Sequence, residues 1–211
     1  MRDHENQIEE YILSKIDESH ILKNIRENTF QDKRKYIQIN QIESKILQLL
    51  IKMNNIKTVV EIGTLVGYST IWIADAIGQL GKIYTIEKNE EHANLARKNF
   101  DTFLNVELLM GDATEKLQQI EPNGPFDMIF IDANKSGYMD YLNWAEKNIK
   151  KNGLIVADNT LLFGKIYDTK YSDQKSWKVI NKFNEELANP SKYDSIIIPT
   201  HEGLSIAIKK F

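Results

Sequence analysis

Val59-Val60-Glu61-Ile62-Gly63-Thr64-Leu65-Val66-Gly67-Tyr68-Ser69-Thr70 decides how this chain folds, because an apolar run of strand character turns through two glycines into a helical pattern. A strand, a glycine turn and a helix N-terminus bring backbone N–H groups and the positive helix end against a ligand. The turn therefore predicts a nucleoside-cofactor loop, with an empty α/β crossover as the plain alternative. The glycines are spaced G-x-x-x-G, not the G-x-G-x-x-G of dinucleotide binders, and Glu61 stands just before them. A carboxylate there repels a pyrophosphate and suits the cationic amino acid end of S-adenosylmethionine (SAM).

Working outward, the residues after Lys57 alternate short apolar strands with amphipathic helices. Strands are predicted at 59–62, 82–87, 106–110, 127–132 and 154–158, with helices near 69–77, 90–100, 114–120 and 138–149. A last helix, near 174–187, precedes two strands at 195–199 and 204–209, close enough for an antiparallel hairpin around His201-Glu202-Gly203. This order implies right-handed β-α-β units, a mostly parallel sheet with helices on both faces, and ligands at the carboxyl ends of the strands. Upstream, Ile8, Ile12, Ile16, Ile21, Leu22 and Ile25, then Ile42, Ile46, Leu49 and Leu50, recur at helical spacing. Their default role is core packing, with covering the cofactor or a dimer face as alternatives. The 211 residues are expected to form one domain, helical over 1–55 and Rossmann-like over 56–211.

Composition narrows the function. The sequence holds no cysteine, so any metal must have oxygen or imidazole ligands. A net charge of −3 lacks the basic excess of a dedicated nucleic-acid binder, although Lys33-Arg34-Lys35 and Lys147, Lys150 and Lys151 could grip a folded RNA if they are more than solvated surface. No apolar run is long enough to cross a bilayer and Met1–Asn6 is too polar for a secretory signal, so a cytoplasmic location is expected. His4, His20, His92 and His201 form no metal-ligand spacing, and none is assigned a catalytic role.

Chemistry is expected at the strand ends. Glu87 closes the second strand about 20 residues after Gly67, where a carboxylate can take both ribose hydroxyls. Gly111-Asp112-Ala113 closes the third; its small residues would admit adenine while Asp112 accepts the exocyclic amine or caps the next helix. Asp132 and the pair Asp158-Asn159 end the fourth and fifth strands, which are neighbours in a parallel sheet. Two carboxylates and an amide carbonyl make an all-oxygen set suited to Mg²⁺, Ca²⁺ or Mn²⁺, unless they merely cap and turn. Lys135 lies one short turn past Asp132. A phenol near pKa 10 and a lysine near about 10.4 converge beside a divalent cation, so Lys135 could take the acceptor's proton, or it could pair with Asp140 or Glu146 at the surface. Leu161-Leu162-Phe163-Gly164 is a possible apolar wall over a flat substrate, and Trp72, Trp144 and Trp177 read as packing.

Together Glu61-Ile62-Gly63-Thr64, Gly67-Tyr68-Ser69, Glu87, Gly111-Asp112-Ala113, Asp132 with Lys135, and Asp158-Asn159-Thr160 resemble the cation-dependent class I SAM O-methyltransferases, the group of catechol and caffeoyl-CoA O-methyltransferases and their bacterial relatives. The resemblance runs from about Ile39 to the C-terminus. It implies a seven-stranded sheet with the last strand antiparallel, a metal on Asp132, Asp158 and Asn159, and Lys135 as general base with Asp132 beside it. For the cofactor it implies Ser69 and Glu61 at the methionine moiety, Glu87 at the ribose and Ala113 at the adenine, with Gly63, Thr64, Gly67, Tyr68, Gly111, Asp112 and Asp132 also among the cofactor-binding residues. It also implies a homodimer. The chain departs from the pattern at Ile39-Asn40-Gln41, where relatives often carry a proline, and at Glu202-Gly203 in place of Asp-Gly. The expected reaction is metal-dependent methyl transfer to a catechol-like small molecule. A hydroxylated uridine in tRNA is the alternative acceptor; an NAD-dependent oxidoreductase and a non-catalytic SAM-binding module are the alternatives from other classes.

Overall fold

The computed structural model describes residues 2–30 and 37–211. Strands β1 (Thr58–Ile62), β2 (Lys82–Glu87), β3 (Val106–Met110), β4 (Phe126–Ile131), β5 (Ile149–Ala157), β6 (Tyr193–Ile198) and β7 (Leu204–Lys209) form one seven-stranded sheet in the order β3-β2-β1-β4-β5-β7-β6. β1 to β5 pair in parallel, and β7 runs antiparallel to both β5 and β6. The expected sheet and terminal hairpin are both present. The chain leaves β1 toward β2 on one side and reaches β4 on the other, so a crevice opens above the carboxyl ends of β1 and β4.

Helices α1 (Arg2–Leu13), α2 (His20–Phe30) and α3 (Gln41–Met53) precede the sheet; α4 (Tyr68–Ile77), α5 (Glu90–Asn99), α6 (Ala113–Ile120), α7 (Tyr138–Asn148) and α8 (Lys175–Leu187) follow. Two apolar clusters cover the two faces. One gathers Leu47, Ile51, Ile71 and Trp72 against Val59, Met128 and Phe130; the other gathers Leu142, Trp144, Ile180 and Phe183 against Val60, Ile129 and Ile155. Burial of so many branched and aromatic side chains, each contributing roughly 1.5–3 kcal/mol, drives the layered packing.

α3 starts sharply because Asn40 and Glu43 form a capping box, with the Asn40 side chain accepting from the Glu43 N–H at 2.9 Å and Glu43 accepting from the Asn40 N–H at 3.3 Å. Its buried face is Glu43, Ser44, Leu47 and Ile51, so one expected core position is corrected: Leu49 is half exposed. Ile8, Ile12 and Ile21 are also exposed, whereas Leu22 and Ile25 are buried as expected. β5 begins at Ile149, earlier than its apolar run suggests, because Ile149 pairs with Phe126 across a register shift. Among the described residues no helix is long and apolar enough to cross a membrane.

Candidate active site

A cavity of about 400 Å³ sits above the β1/β4 crevice. Gly63, Thr64, Leu65, Tyr68 and Ser69 line it from the first turn, Glu87 from β2, Gly111, Asp112 and Ala113 from β3, Asp132 and Lys135 from β4, and Asn159 from β5. The strand ends thus bring most of the predicted residues together; Glu61, Gly67 and Asp158 lie behind the lining.

The glycines are needed by the packing of the turn itself. Gly63 has φ +101°, and a Cβ there would overlap the Asp132 carbonyl oxygen; Gly67 has φ +88°, and a Cβ there would overlap the Phe100 ring. Protein, not ligand, occupies the space a side chain would need. Glu61 is fully buried beneath the turn. Its Oε1 accepts from Ser69 Oγ (2.7 Å), and its Oε2 from Thr70 Oγ1 (2.5 Å) and Thr85 Oγ1 (2.6 Å). Burial outweighs those hydrogen bonds and raises its pKa from 4.5 to about 7. Ser69, not the carboxylate itself, is the group of this pair that meets the cavity.

Glu87 is held between two loops, Oε2 accepting from the Leu65 N–H (2.9 Å) and Oε1 from the Asn89 N–H (2.7 Å). Lone pairs remain for ribose hydroxyls. His92, unassigned in the sequence, also lines the cavity, with Nδ1 3.9 Å from Glu87 Oε1. Asp112 caps α6 through the Thr114 N–H (3.0 Å) and pairs with Lys88 (3.3 Å), which together hold its carboxyl below the usual range. Both alternatives for Asp112 can coexist, since it caps and lines the cavity.

At the other end, Asp158 is 2% exposed; its Oδ1 accepts from the Asn159 N–H (2.7 Å), and Asn159 Nδ2 faces its Oδ2 at 3.4 Å. Asn159 adopts left-handed φ, +58°. Lys135 Nζ stands 4.0 Å from Asp132 Oδ1 and donates to Tyr138 Oη at 2.5 Å, while Tyr138 Oη donates to the Asp158 carbonyl at 2.8 Å. Lys135 therefore points inward, and the surface pairing with Asp140 or Glu146 is not formed; Glu146 binds Lys192 and Tyr193. Burial, then the charge of Asp158, raises the Asp132 pKa to about 8, and burial lowers that of Lys135. Burial likewise raises Glu43 and Glu202 to about 7, assisted by Asp158. Excess carboxylate with one nearby lysine is a donor set suited to a hard divalent cation. Among the described residues no three histidine, aspartate or glutamate side chains form a metal cluster, and a cation here would rest on two carboxylates and the Asn159 amide.

Of the proposed apolar wall, Phe163 alone lines the cavity; it is half exposed and packs edge-on against His201 at 5.9 Å. Lys150, paired with Asp127 at 2.6 Å, and Lys151 open β5 at the amino end of the strands, away from the cavity, so that basic group does not lead to the rim. Lys33-Arg34-Lys35 lies outside the described residues. Tyr138 and Tyr141 were missed as site residues; Lys135 and Tyr138 at i, i+3 was the available signal.

The family model described as O-methyltransferase matches residues 13–210. The chain belongs to the O-methyltransferase family. It is 37% identical over 184 residues to a catechol O-methyltransferase from Niastella koreensis, covering 82% of this chain and 83% of that protein. The O-methyltransferase from Bacillus cereus, solved with S-adenosylhomocysteine, superposes with a TM-score of 0.88 at 30% identity, covering 97% of each chain. The O-methyltransferase TomG from Streptomyces achromogenes, solved with SAM, gives 0.89 at 27% identity, covering 97% of this chain and 96% of that one. The protein is a SAM-dependent O-methyltransferase.

Proposed function

We propose that this methyltransferase moves the methyl group of SAM to one hydroxyl of a catechol-like small molecule with a divalent cation bound at Asp132, Asp158 and Asn159. The observation that carries the reading is the convergence of Asp132, Asn159 and Lys135 on the cavity that Ser69 and Glu87 also line, with Asp158 directly behind. The resemblance to a catechol O-methyltransferase supports the acceptor class.

SAM supplies a methyl group already activated on a sulfonium. When bound, the cation supplies Lewis acidity and a template for two vicinal oxygens. Ser69 would hold the methionine end of the donor, Glu87 its ribose and Ala113 its adenine, from three strand ends that line one cavity. Lys135, whose pKa burial lowers, would take the hydroxyl proton on Nζ while the carbon–sulfur bond breaks and the carbon–oxygen bond forms. Tyr138 holds Nζ at 2.5 Å and so directs its lone pair. Phe163 gives a flat acceptor an apolar surface.

The test is methyl transfer from labelled SAM to a catechol panel and to undermodified tRNA, with Mg²⁺ or with chelator. Asp132→Ala and Asp158→Ala should abolish metal-dependent turnover and retain SAM binding. Full activity of either variant in chelator refutes the metal role, and methylation confined to tRNA refutes the acceptor.

A further inference from the structure

Glu18 lies in the bend between α1 and α2, far in sequence from the strand-end groups of the cavity, yet its side chain is 1% exposed. Three donors from three elements close on its carboxylate. Arg26 Nε of α2 donates to Oε2 at 2.9 Å, Gln41 Nε2 of α3 donates to the same oxygen at 2.8 Å, and the Tyr68 hydroxyl donates to Oε1 in a short hydrogen bond. A desolvated carboxylate is tolerated when so many charged and polar donors replace its water, and removing one of them leaves the rest of the cluster underpaired. Tyr68 is the first residue of α4; it follows the left-handed Gly67, precedes Ser69 and lines the cavity. Nothing in catalysis uses Glu18 directly, since it does not reach the cavity.

We infer that Glu18 is a positioning residue for the methyl donor, a buried anchor that fixes Tyr68 and with it the turn that presents Ser69. Ile37, Gln38 and Ile39 also line the cavity immediately before α3, so the same anchor, through Gln41, holds the N-terminal helices over the donor. This rests on reading the cavity as the SAM site. It makes the N-terminal region part of the donor site: its loosening weakens SAM binding and leaves the acceptor end, built on β4 and β5, in place.

The experiment is calorimetric SAM binding and steady-state kinetics on the full chain carrying Glu18→Gln, Tyr68→Phe, both together, and Gln41→Met. Glu18→Gln should raise Kd and KM for SAM about tenfold, with kcat at saturating SAM within about twofold. Gln41→Met, which removes a donor outside the cavity, should shift SAM affinity in the same direction, and keeps the test open if Glu18→Gln does not fold. The double variant should be no weaker than the weaker single one, because the bond lost in Tyr68→Phe is among those Glu18→Gln already disrupts. Wild-type affinity in Glu18→Gln or Gln41→Met, multiplicative losses in the double variant, or a fall in kcat with unchanged KM overturns the inference. A wild-type protein that does not bind SAM overturns the reading of the cavity, and this inference with it.

Discussion

Glu61→Gln should make the protein more stable above neutral pH and leave it unchanged in acid. Glu61 is fully buried, and its pKa rises from 4.5 to about 7, chiefly through desolvation. Between those values the folded state keeps a proton that the unfolded state has lost, so stability falls as pH rises through the window and levels off above it. The difference corresponds to about 3 kcal/mol at full ionisation. An amide mimics the protonated acid, and the cluster can accept it. With the amide oxygen toward Thr70 and Thr85, those hydroxyls still donate, and only Ser69 must turn to accept from the amide nitrogen. Urea titrations of both proteins from pH 4.5 to 8.5, without cation or SAM, measure the difference. Glu43 and Glu202 titrate in both and cancel, while Asp132, raised in part by the Glu61 charge, adds to the wild type's loss in the same direction. Parallel stability curves, or a wild type that gains on the variant from pH 5 to 7, would refute the reasoning. SAM bound as proposed brings positive charge beside Ser69, so it should stabilise wild type more than the variant at pH 7.

The turn itself is brittle: Gly63→Ala meets both the positive φ and the Asp132 carbonyl, and thermal melting should show a loss of about 3 kcal/mol or more. Lys135→Met should lower kcat by about 10²–10⁴. Because burial moves the lysine pKa below its usual 10.5, wild-type rates should climb with pH through that lowered value, and the variant's pH–rate profile should lack the rise. Tyr138→Phe removes the hydroxyl that joins Lys135 to the Asp158 carbonyl; it should cost roughly 1–3 kcal/mol in denaturant titration and reduce kcat with SAM affinity retained by calorimetry.

Most strand positions were legible because apolar runs such as Met128-Ile129-Phe130-Ile131 are continuous, as buried parallel strands require. The start of β5 was not, since Lys150 to Gly153 is polar and hides the pairing of Ile149 with Phe126. At the site, Glu87, Asp132 and Asn159 could be placed by strand ends alone, because neighbouring parallel strands finish side by side. Contacts that depend on side-chain direction escaped. Glu18 meets Tyr68 across 50 positions, and no periodicity links them. Helical spacing likewise marked Leu49 as core, although packing against α4 selects Ser44, Leu47 and Ile51. The packing need for the glycines also escaped, since the atoms that a Cβ would meet belong to Asp132 and Phe100, distant in the chain.

The strand ends share a backbone rule that explains why residues from distant parts of the chain meet with such small tolerance. Each site segment donates its first N–H beyond its own strand to the last or next-to-last carbonyl of the neighbour: Gly63 to Ile86 (3.0 Å), Gly111 to Glu87 (2.9 Å), Asp132 to Ile62 (2.9 Å) and Asp158 to Ile131 (2.9 Å). The ladder thus runs one residue past the sheet and sets the Cα of every one of these positions before any side chain acts. Methyl transfer needs the donor carbon and the acceptor oxygen in line, and a displacement of about 1 Å costs about 10²-fold in rate. Loops tied only by side chains would not hold that alignment. Gly63 is the joint between the two halves, because its missing Cβ admits the Asp132 carbonyl and locks the donor turn against the proposed metal end. Phe163, which lines the cavity from a connection outside this ladder, can then be substituted without disturbing the strand-end geometry.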